Sequence, residues 1–193
     1  MNHNPLFVSL VSTCDNFITS EENDMIYEQI MSSNISGNGG SVWVSGDNSP
    51  DNSFGTDFCV SNEVMSTLST KVANFVISYQ REVYQSNHRL QLDSVWYNTY
   101  VGSQYQERHN HLPNRLSAIY VVKVPDGSSP VVFSNPLLLE NYPGVIKGTP
   151  HTCSSSKYHA CERDLIVFPS YLPHMVPIGK NKDPRVTVAF NFI

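Results

Sequence analysis

The chain has 193 residues, of which 40% are hydrophobic, and this is enough for one domain with a hydrophobic core. Charged residues make up only 15%, whereas the chain has 10 Tyr, 9 Phe and 12 Pro, so the composition favours a β-rich fold over a helical bundle. The net charge of −5 and the lack of a basic stripe argue against a nucleic-acid partner.

The beginning of the sequence, MNHNPLFVSLVSTC, lacks the basic start and the long apolar run of a signal peptide. No stretch reaches the roughly 18 apolar residues that a membrane-spanning helix needs. The four cysteines are far apart or irregularly spaced; they are Cys14, Cys59, Cys153 and Cys161. We therefore expect reduced thiols, a cytoplasmic location and no contact with a membrane, while the oligomeric state is left open.

Two helices are predicted in the first 90 residues. Thr19 is followed three residues later by Glu22, a capping-box pattern that begins a short helix ending near Met31. A longer helix is predicted after Ser61, because apolar residues recur there on one helical face. These residues are Val64, Leu68, Val72, Phe75, Val76, Tyr79 and Val83.

The segment 33–56 between the two helices is rich in Ser, Asn and Gly. It is interpreted as a long loop, with a short strand as an alternative for Val42–Val44. A surface excursion is favoured over a lid above a binding site, because most such loops do no chemistry. The two tryptophans of the chain, Trp43 and Trp96, are interpreted as core residues.

From residue 91 onward, short β-branched or aromatic segments alternate with Pro, Gly, Asn and Asp. Seven strands are predicted, in QLDSVWYNTYVG, QYQERHNH, RLSAIYVVKV, PVVFSNP, RDLIVFP, HMVPI and PRVTVAFNFI. Strands this short and closely spaced imply a barrel or a sandwich. We expect a single domain over 1–193, in which 1–90 form a helical buttress and a loop insert and 91–193 form the β core.

Three histidines are candidate metal ligands. His109 and His111 form an H-x-H pair, and alternate residues of a strand point to the same face. His174 follows an apolar strand on a turn stiffened by proline. Arg185, eleven residues later (185 − 174), opens an otherwise apolar strand, so an inward guanidinium there needs an anionic partner. Each signal is weak alone, and their combination carries the specificity.

In this combination the chain resembles the iron(II)/2-oxoglutarate-dependent oxygenases, and especially small members related to the prolyl hydroxylases. The shared motifs are Trp96 with Asn98, His109–Pro113, Ser117–Tyr120, Phe168–His174 and Arg185–Phe192. They occur in the family's order and cover about half of the chain, residues 91–193. The resemblance implies a mainly β fold, a double-stranded β-helix or jelly roll, with supporting N-terminal helices.

The resemblance also implies a site. His109, His111 and His174 would hold iron(II), with His111 in the place where the superfamily has an aspartate, so the bare site is more positive by one charge. The cosubstrate 2-oxoglutarate would chelate the metal, while its far carboxylate would pair with Arg185, helped by Thr187 on the same strand face.

Two further residues are implied to contact the cosubstrate. Asn98 and Tyr100 stand eleven and nine residues before His109, the spacing of an Asn-x-Tyr pair in the alkylation-repair oxygenases. A tyrosine that prolyl hydroxylases place on the strand after H-x-D falls at Val121, so that contact is expected to be lost. The implied reaction hydroxylates a small-molecule or protein side-chain substrate while 2-oxoglutarate and O2 give succinate and carbon dioxide.

Other interpretations stay open at this point. A cupin is also a double-stranded β-helix with a three-histidine metal, but Gly102 precedes His109 by one residue too many for the cupin motif. A binding module that kept the barrel and lost the chemistry is a second alternative. A zinc site is a further alternative for four residues, although a polar loop at the barrel mouth is preferred. These residues are His151, Cys153, His159 and Cys161.

Overall fold

The computed structural model describes residues 9–32, 62–136 and 153–193, and the backbone of 51–54. In chain order its elements are β1 (Ser12–Cys14), α1 (Ser20–Ser32), β2 (Asp51–Phe54), α2 (Glu63–Tyr84), β3 (Leu92–Tyr100), β4 (Gln106–His109), β5 (Leu116–Lys123), β6 (Val131–Ser134), β7 (Ser155–Tyr158), β8 (Leu165–Pro169), β9 (His174–Val176) and β10 (Arg185–Phe192). Neither described helix is long and apolar enough to cross a membrane.

The strands form two sheets in which every pairing is antiparallel. The larger sheet has the order β1-β8-β5-β10-β3-β2, and the smaller one has the order β4-β9-β6-β7. Side chains of both sheets meet in one buried cluster that includes Phe133 of the smaller sheet and Phe168 of the larger. The two sheets therefore pack face to face, and the double-stranded β-helix expected from the sequence is confirmed.

Both helices begin at a polar cap, as their sequences indicate. The backbone N–H of Thr19 donates to Glu22 Oε2 at 3.1 Å, and Glu22 N–H donates to Thr19 Oγ1 at 3.2 Å, which is the capping box expected there. At α2 the Asn62 side-chain oxygen accepts from Val64 N–H at 3.0 Å and from Met65 N–H at 3.2 Å. These bonds satisfy backbone donors that the first helical turn leaves without partners.

The larger sheet separates two cores because alternate residues of a strand face opposite sides. On β10, Val186 and Val188 pack into the cluster that contains the buried face of α2. Arg185 and Thr187, on the other side of the same strand, line a cavity between the sheets. The helices thus support the back of the sheet, and its front face is free to carry polar residues.

A buried polar pair ties α1 to β5. Asn23 Nδ2 donates to the Val122 carbonyl at 3.1 Å, and the Tyr120 hydroxyl donates to Asn23 Oδ1 at 2.7 Å. Burial raises the pKa of Tyr120 far above its ordinary value, so the hydroxyl stays protonated. Within the described structure, Asn23 is therefore the acceptor of the buried Tyr120 hydroxyl.

We expect Asn23→Leu to lower the free energy of unfolding by about 1–3 kcal/mol, since it leaves the Tyr120 hydroxyl buried without an acceptor. The double variant with Tyr120→Phe should recover part of this loss, because the hydroxyl that lost its acceptor is also removed. Urea denaturation of the two single variants and the double variant measures both effects. Full additivity of the two losses would contradict a direct interaction.

All seven predicted strands are present, and β1, β2 and β7 were not predicted. Residues 51–54 lie in the segment 33–56, so its interpretation as a loop is wrong at β2, and β7 lies in a stretch taken as a polar loop at the barrel mouth. All three strands lie at a sheet edge and are short, and β2 and β7 are also polar. An edge strand is held by backbone bonds on one side and needs little side-chain burial, so it leaves a weak sequence signal. Val42–Val44 and Trp43 lie outside the described residues.

Candidate active site

The three candidate histidines converge. His109 ends β4 and His174 begins β9, and the antiparallel register pairs them directly. The ring centroids are 4.4 Å apart for His109 and His174, 4.9 Å for His109 and His111, and 5.0 Å for His111 and His174. One nitrogen of each ring lies within 4.8 Å of the other two, so a single ion could bind all three.

His111 reaches the cluster by a different route from the one predicted. The strand β4 ends at His109, so the expectation that one strand carries both histidines is wrong. His111 lies in the following turn, where its backbone N–H donates to the Ser170 carbonyl at 2.8 Å. Ser170 in turn shares a hydrogen bond of 2.8 Å with the buried Ser117, whose hydroxyl donates to Asn191 Oδ1. A buried polar network therefore holds the backbone of His111 in place, and strand alternation does not.

The hydrogen bonds of two rings leave one nitrogen of each available as a ligand. His109 Nδ1 lies 2.7 Å from the Glu107 carbonyl, and His174 Nδ1 lies 3.1 Å from the Leu172 carbonyl. Because a carbonyl only accepts, Nδ1 carries the hydrogen and Nε2 keeps its lone pair. Burial lowers the pKa of all three histidines, to about 3 for His111 and well below the ordinary value for His174. The rings are neutral, which is the form that binds a metal.

Aromatic side chains surround the cluster. The Phe168 ring lies 4.8 Å from the His174 ring, and the Trp96 ring lies 5.6 Å from the His111 ring. Trp96 is half-buried and lines the cavity, so its interpretation as a core residue is wrong. It pairs with Ala189 across β3 and β10, and the small alanine leaves room for the indole on this face.

The polar residues of the same cavity come from β3 and β10 of the larger sheet. The register places Arg185 opposite Tyr100 and Thr187 opposite Asn98, so the four side chains form two adjacent cross-strand pairs. The sequence-based expectation grouped these same four residues, and the structure brings them together. The strand β10 also pairs with β5, and there Val121, an apolar residue, lies opposite Thr187.

Arg185 is buried, with 3% of its surface exposed, and its guanidinium carbon lies 5.3 Å from the centre of the Tyr100 ring. The only ion pairs within the described residues are Lys71 with Glu22 and Lys123 with Glu162, so Arg185 has no acidic partner there. Burial lowers its pKa from the ordinary value. A buried guanidinium without an acid is costly, and an anionic ligand in the cavity would offset this cost.

Two other polar contacts belong to this group. Asn98 Oδ1 is a buried side-chain atom with no hydrogen-bond partner in the part of the chain that the structure describes. The Tyr100 hydroxyl donates to Gln106 Oε1 at 3.0 Å, and burial raises the pKa of Tyr100 to about 12. A protein interior rarely leaves an acceptor such as Asn98 Oδ1 unmatched, so this atom fits a ligand group or a water that donates a hydrogen bond.

Gln106 was not singled out from the sequence. It stands three residues before His109, and strict alternation would place the two side chains on opposite faces of β4. An irregularity in the pairing of β4 with β9 lies between them, and both line the cavity. A β-bulge of this kind leaves no reliable mark in a sequence, which is why the residue was missed.

The proposed zinc ligands do not form a site among the described residues. Within 9–32, 62–136 and 153–193, the metal-binding geometry is met by the histidine triad and not by Cys153, His159 and Cys161. His159 and Cys161 are exposed. His151 lies outside the described residues.

Comparison with known proteins decides the family. The sequence model of the family described as "Putative 2OG-Fe(II) oxygenase" matches residues 94–191, which is half of the chain. The chain belongs to the 2OG-Fe(II) oxygenases. This oxygenase is therefore an oxidoreductase of a family that uses iron and 2-oxoglutarate, as the resemblance of its motifs indicated, and the match decides against the cupin alternative. No curated protein is significantly similar in sequence.

Solved structures agree with the fold of this oxygenase. A prolyl hydroxylase from Trichoplax adhaerens, in complex with a peptide fragment of hypoxia inducible factor, is 17% identical with a TM-score of 0.67, covering 95% of this chain and 83% of that one. A prolyl-4-hydroxylase from Pseudomonas putida is 10% identical with a TM-score of 0.63 and coverages of 94% and 91%. HygX from Streptomyces hygroscopicus, with nickel and 2-oxoglutarate bound, is 11% identical with a TM-score of 0.64 and coverages of 94% and 82%.

Proposed function

We propose that this oxygenase hydroxylates its substrate with iron(II) held by His109, His111 and His174, and converts 2-oxoglutarate to succinate and carbon dioxide. One observation carries the proposal. Three neutral imidazoles converge in the same cavity as a buried guanidinium that has no acidic partner among the described residues. The metal, when bound, supplies the chemistry of O2, and the protein supplies the positions of the reactants.

The chain's own residues divide the binding of 2-oxoglutarate between them. The guanidinium of Arg185 is planar and can donate two parallel hydrogen bonds to a carboxylate, and Thr187 adds a hydroxyl from the same face of β10. Asn98 and Tyr100 line the cavity directly opposite these two residues. Because all three metal ligands are neutral, the dianionic cosubstrate offsets more of the site's positive charge than it would beside a carboxylate ligand.

The substrate is proposed to be a small molecule or a protein side chain. The Trichoplax enzyme was solved with a peptide, which supports the second class, and the acidic chain does not favour nucleic acid. We also propose that residues 1–193 form one domain of a cytoplasmic protein. The packing of α1 and α2 against the larger sheet supports the domain assignment.

An anaerobic titration of the protein with iron(II) and 2-oxoglutarate tests the proposal. A visible charge-transfer band is expected when the keto acid chelates the metal. Admission of O2 should then release succinate slowly, even without a substrate. A band without succinate would indicate a binding module that lost the chemistry, and no band at all would contradict the proposed metal and cosubstrate site.

His111→Asp tests the position at which this chain departs from the superfamily pattern. A carboxylate there restores two histidines and one carboxylate, so we expect iron binding to persist and uncoupled succinate release to equal or exceed that of the wild type. His111→Ala is the matched control and should weaken iron binding by more than about 100-fold, because it removes a ligand. If His111→Ala binds iron as tightly as the wild type, residue 111 does not occupy a ligand position.

A further inference from the structure

We infer that Gln106 is a further specificity-determining residue, whose side-chain amide donates a hydrogen bond to the far carboxylate of 2-oxoglutarate beside Arg185. The inference rests on the proposed function and names a residue that the family motifs of this chain do not include. It follows from the geometry around Tyr100 and from the supply of hydrogen-bond donors in the cavity.

Gln106 and Arg185 both lie against the side chain of Tyr100. Gln106 Oε1 accepts from the Tyr100 hydroxyl at 3.0 Å, and the Arg185 guanidinium carbon lies 5.3 Å from the centre of that ring. Gln106 belongs to the smaller sheet, whereas Tyr100 and Arg185 belong to the larger one. The Gln106 side chain therefore crosses the gap between the sheets at the place where the buried cation lies.

A carboxylate bound in this cavity needs hydrogen-bond donors. A carboxylate only accepts hydrogen bonds, and the single hydroxyl hydrogen of Tyr100 is already donated to Gln106. The side chain of Val121, next to Thr187 in register, has no polar atom, and Asn98 lines the cavity with a side-chain amide whose oxygen has no partner among the described residues. Among the described residues that line the cavity, the donors besides Arg185 and Thr187 include the amide nitrogens of Asn98 and Gln106, and the amide of Gln106 is the one fixed against Tyr100.

The side chain of Gln106 is fixed in place. Only 9% of the Gln106 surface is exposed, and its Oε1 is already matched by Tyr100, so the side chain is held in one orientation. The structure gives its amide nitrogen no acceptor among the described residues. An N–H that is fixed in the cavity wall without a protein acceptor favours ligands that bring an oxygen to it, because with other ligands it stays unpaired. Gln106 should thus favour 2-oxoglutarate over 2-oxo acids without the far carboxylate.

The test compares two ligands that differ only at this end. The dissociation constants of 2-oxoglutarate and 2-oxopentanoate, which has a methyl group in place of the far carboxylate, are measured on the iron(II)-loaded protein without O2. Gln106→Met should raise the dissociation constant of 2-oxoglutarate by about 10- to 100-fold, the range expected for one hydrogen bond to a charged group. The dissociation constant of 2-oxopentanoate should not change. Gln106→Glu keeps the acceptor for Tyr100 but adds a negative charge beside the carboxylate of the ligand, so this variant should lose more affinity for 2-oxoglutarate than Gln106→Met.

Gln91→Glu is the matched control, because it makes the same change at an exposed glutamine that lies outside the cavity, and it should bind both ligands as the wild type does. Iron(II) binding in the absence of keto acid should be unaffected in every variant. The role of Gln106 would be overturned if Gln106→Met lost affinity equally for both ligands, or lost no affinity for 2-oxoglutarate. Failure of the wild-type protein to bind 2-oxoglutarate would instead overturn the proposed function, and the inference with it.

Discussion

His174→Ala is expected to abolish the binding of iron(II) and, with it, the charge-transfer band of 2-oxoglutarate. His174 is the most buried of the three histidines, with 3% of its surface exposed, and its ring lies within 5.0 Å of both others, centroid to centroid. Loss of a residue that merely orients a ligand typically costs 10- to 100-fold in metal affinity, so loss of a ligand in a three-residue site should exceed about 100-fold. Anaerobic iron titration measures the effect.

His88→Ala is the matched control for this variant, since His88 is exposed and lies outside the cavity, and it should bind iron normally. Because His174 packs against Phe168 and Phe133, its truncation also removes buried contacts. His109→Ala, at a less buried position, should lose iron in the same way and separates the two effects. Iron affinity within a few-fold of wild type in both variants would show that the cluster does not bind the metal.

Arg185→Met is expected to spare iron(II) and to abolish the binding of 2-oxoglutarate at ordinary concentrations. Removal of one partner of a buried charge pair costs about 2–5 kcal/mol, which corresponds to about 30- to 5000-fold in the dissociation constant. The free protein should keep or gain stability, because the guanidinium is buried without an acid among the described residues and methionine can occupy its space. Iron titration, keto acid titration and thermal unfolding measure the three effects.

Arg185→Lys sharpens this prediction. Lysine keeps the positive charge but offers a compact ammonium in place of a planar fork, so a partial loss of 2-oxoglutarate affinity is expected. If Arg185→Met binds 2-oxoglutarate as tightly as the wild type, the far carboxylate lies elsewhere in the cavity. A parallel loss of iron and keto acid would mean that Arg185 supports the fold of the site and does not bind the cosubstrate.

The two halves of the site lie on different sheets. His109 and His174 are held by the paired strands β4 and β9 of the smaller sheet, whereas Arg185 and Thr187 lie on β10 of the larger sheet. The packing of one sheet on the other therefore sets the distance between the histidine cluster and the guanidinium of Arg185. The hydrogen bond from Tyr100 to Gln106 is a polar connection between these halves and lies within the cavity.

Much of the site was predictable because its signals are local or family-wide. The H-x-H pair, His174 and Arg185 are uncommon residue types in otherwise apolar or turn segments, and the structure brings all four to one cavity. The contact of Trp96 with the His111 ring was not predictable. A tryptophan in a strand is usually predicted to be a core residue. Only its pairing with the small Ala189 reveals that Trp96 faces the cavity.

By itself, the sequence determined the β-rich class, both described helices, the seven main strands and the candidate residues for a metal and an anion. These features follow from hydrophobic periodicity and from side-chain chemistry, which are local properties of the sequence. Only the tertiary structure decided how these residues meet. The irregularity in β4 that turns Gln106 inward, the turn that carries His111 and the edge strands β1, β2 and β7 all depend on partners distant in the sequence. Such pairings are set by hydrogen bonds between remote backbone groups, to which no pattern of neighbouring side chains corresponds.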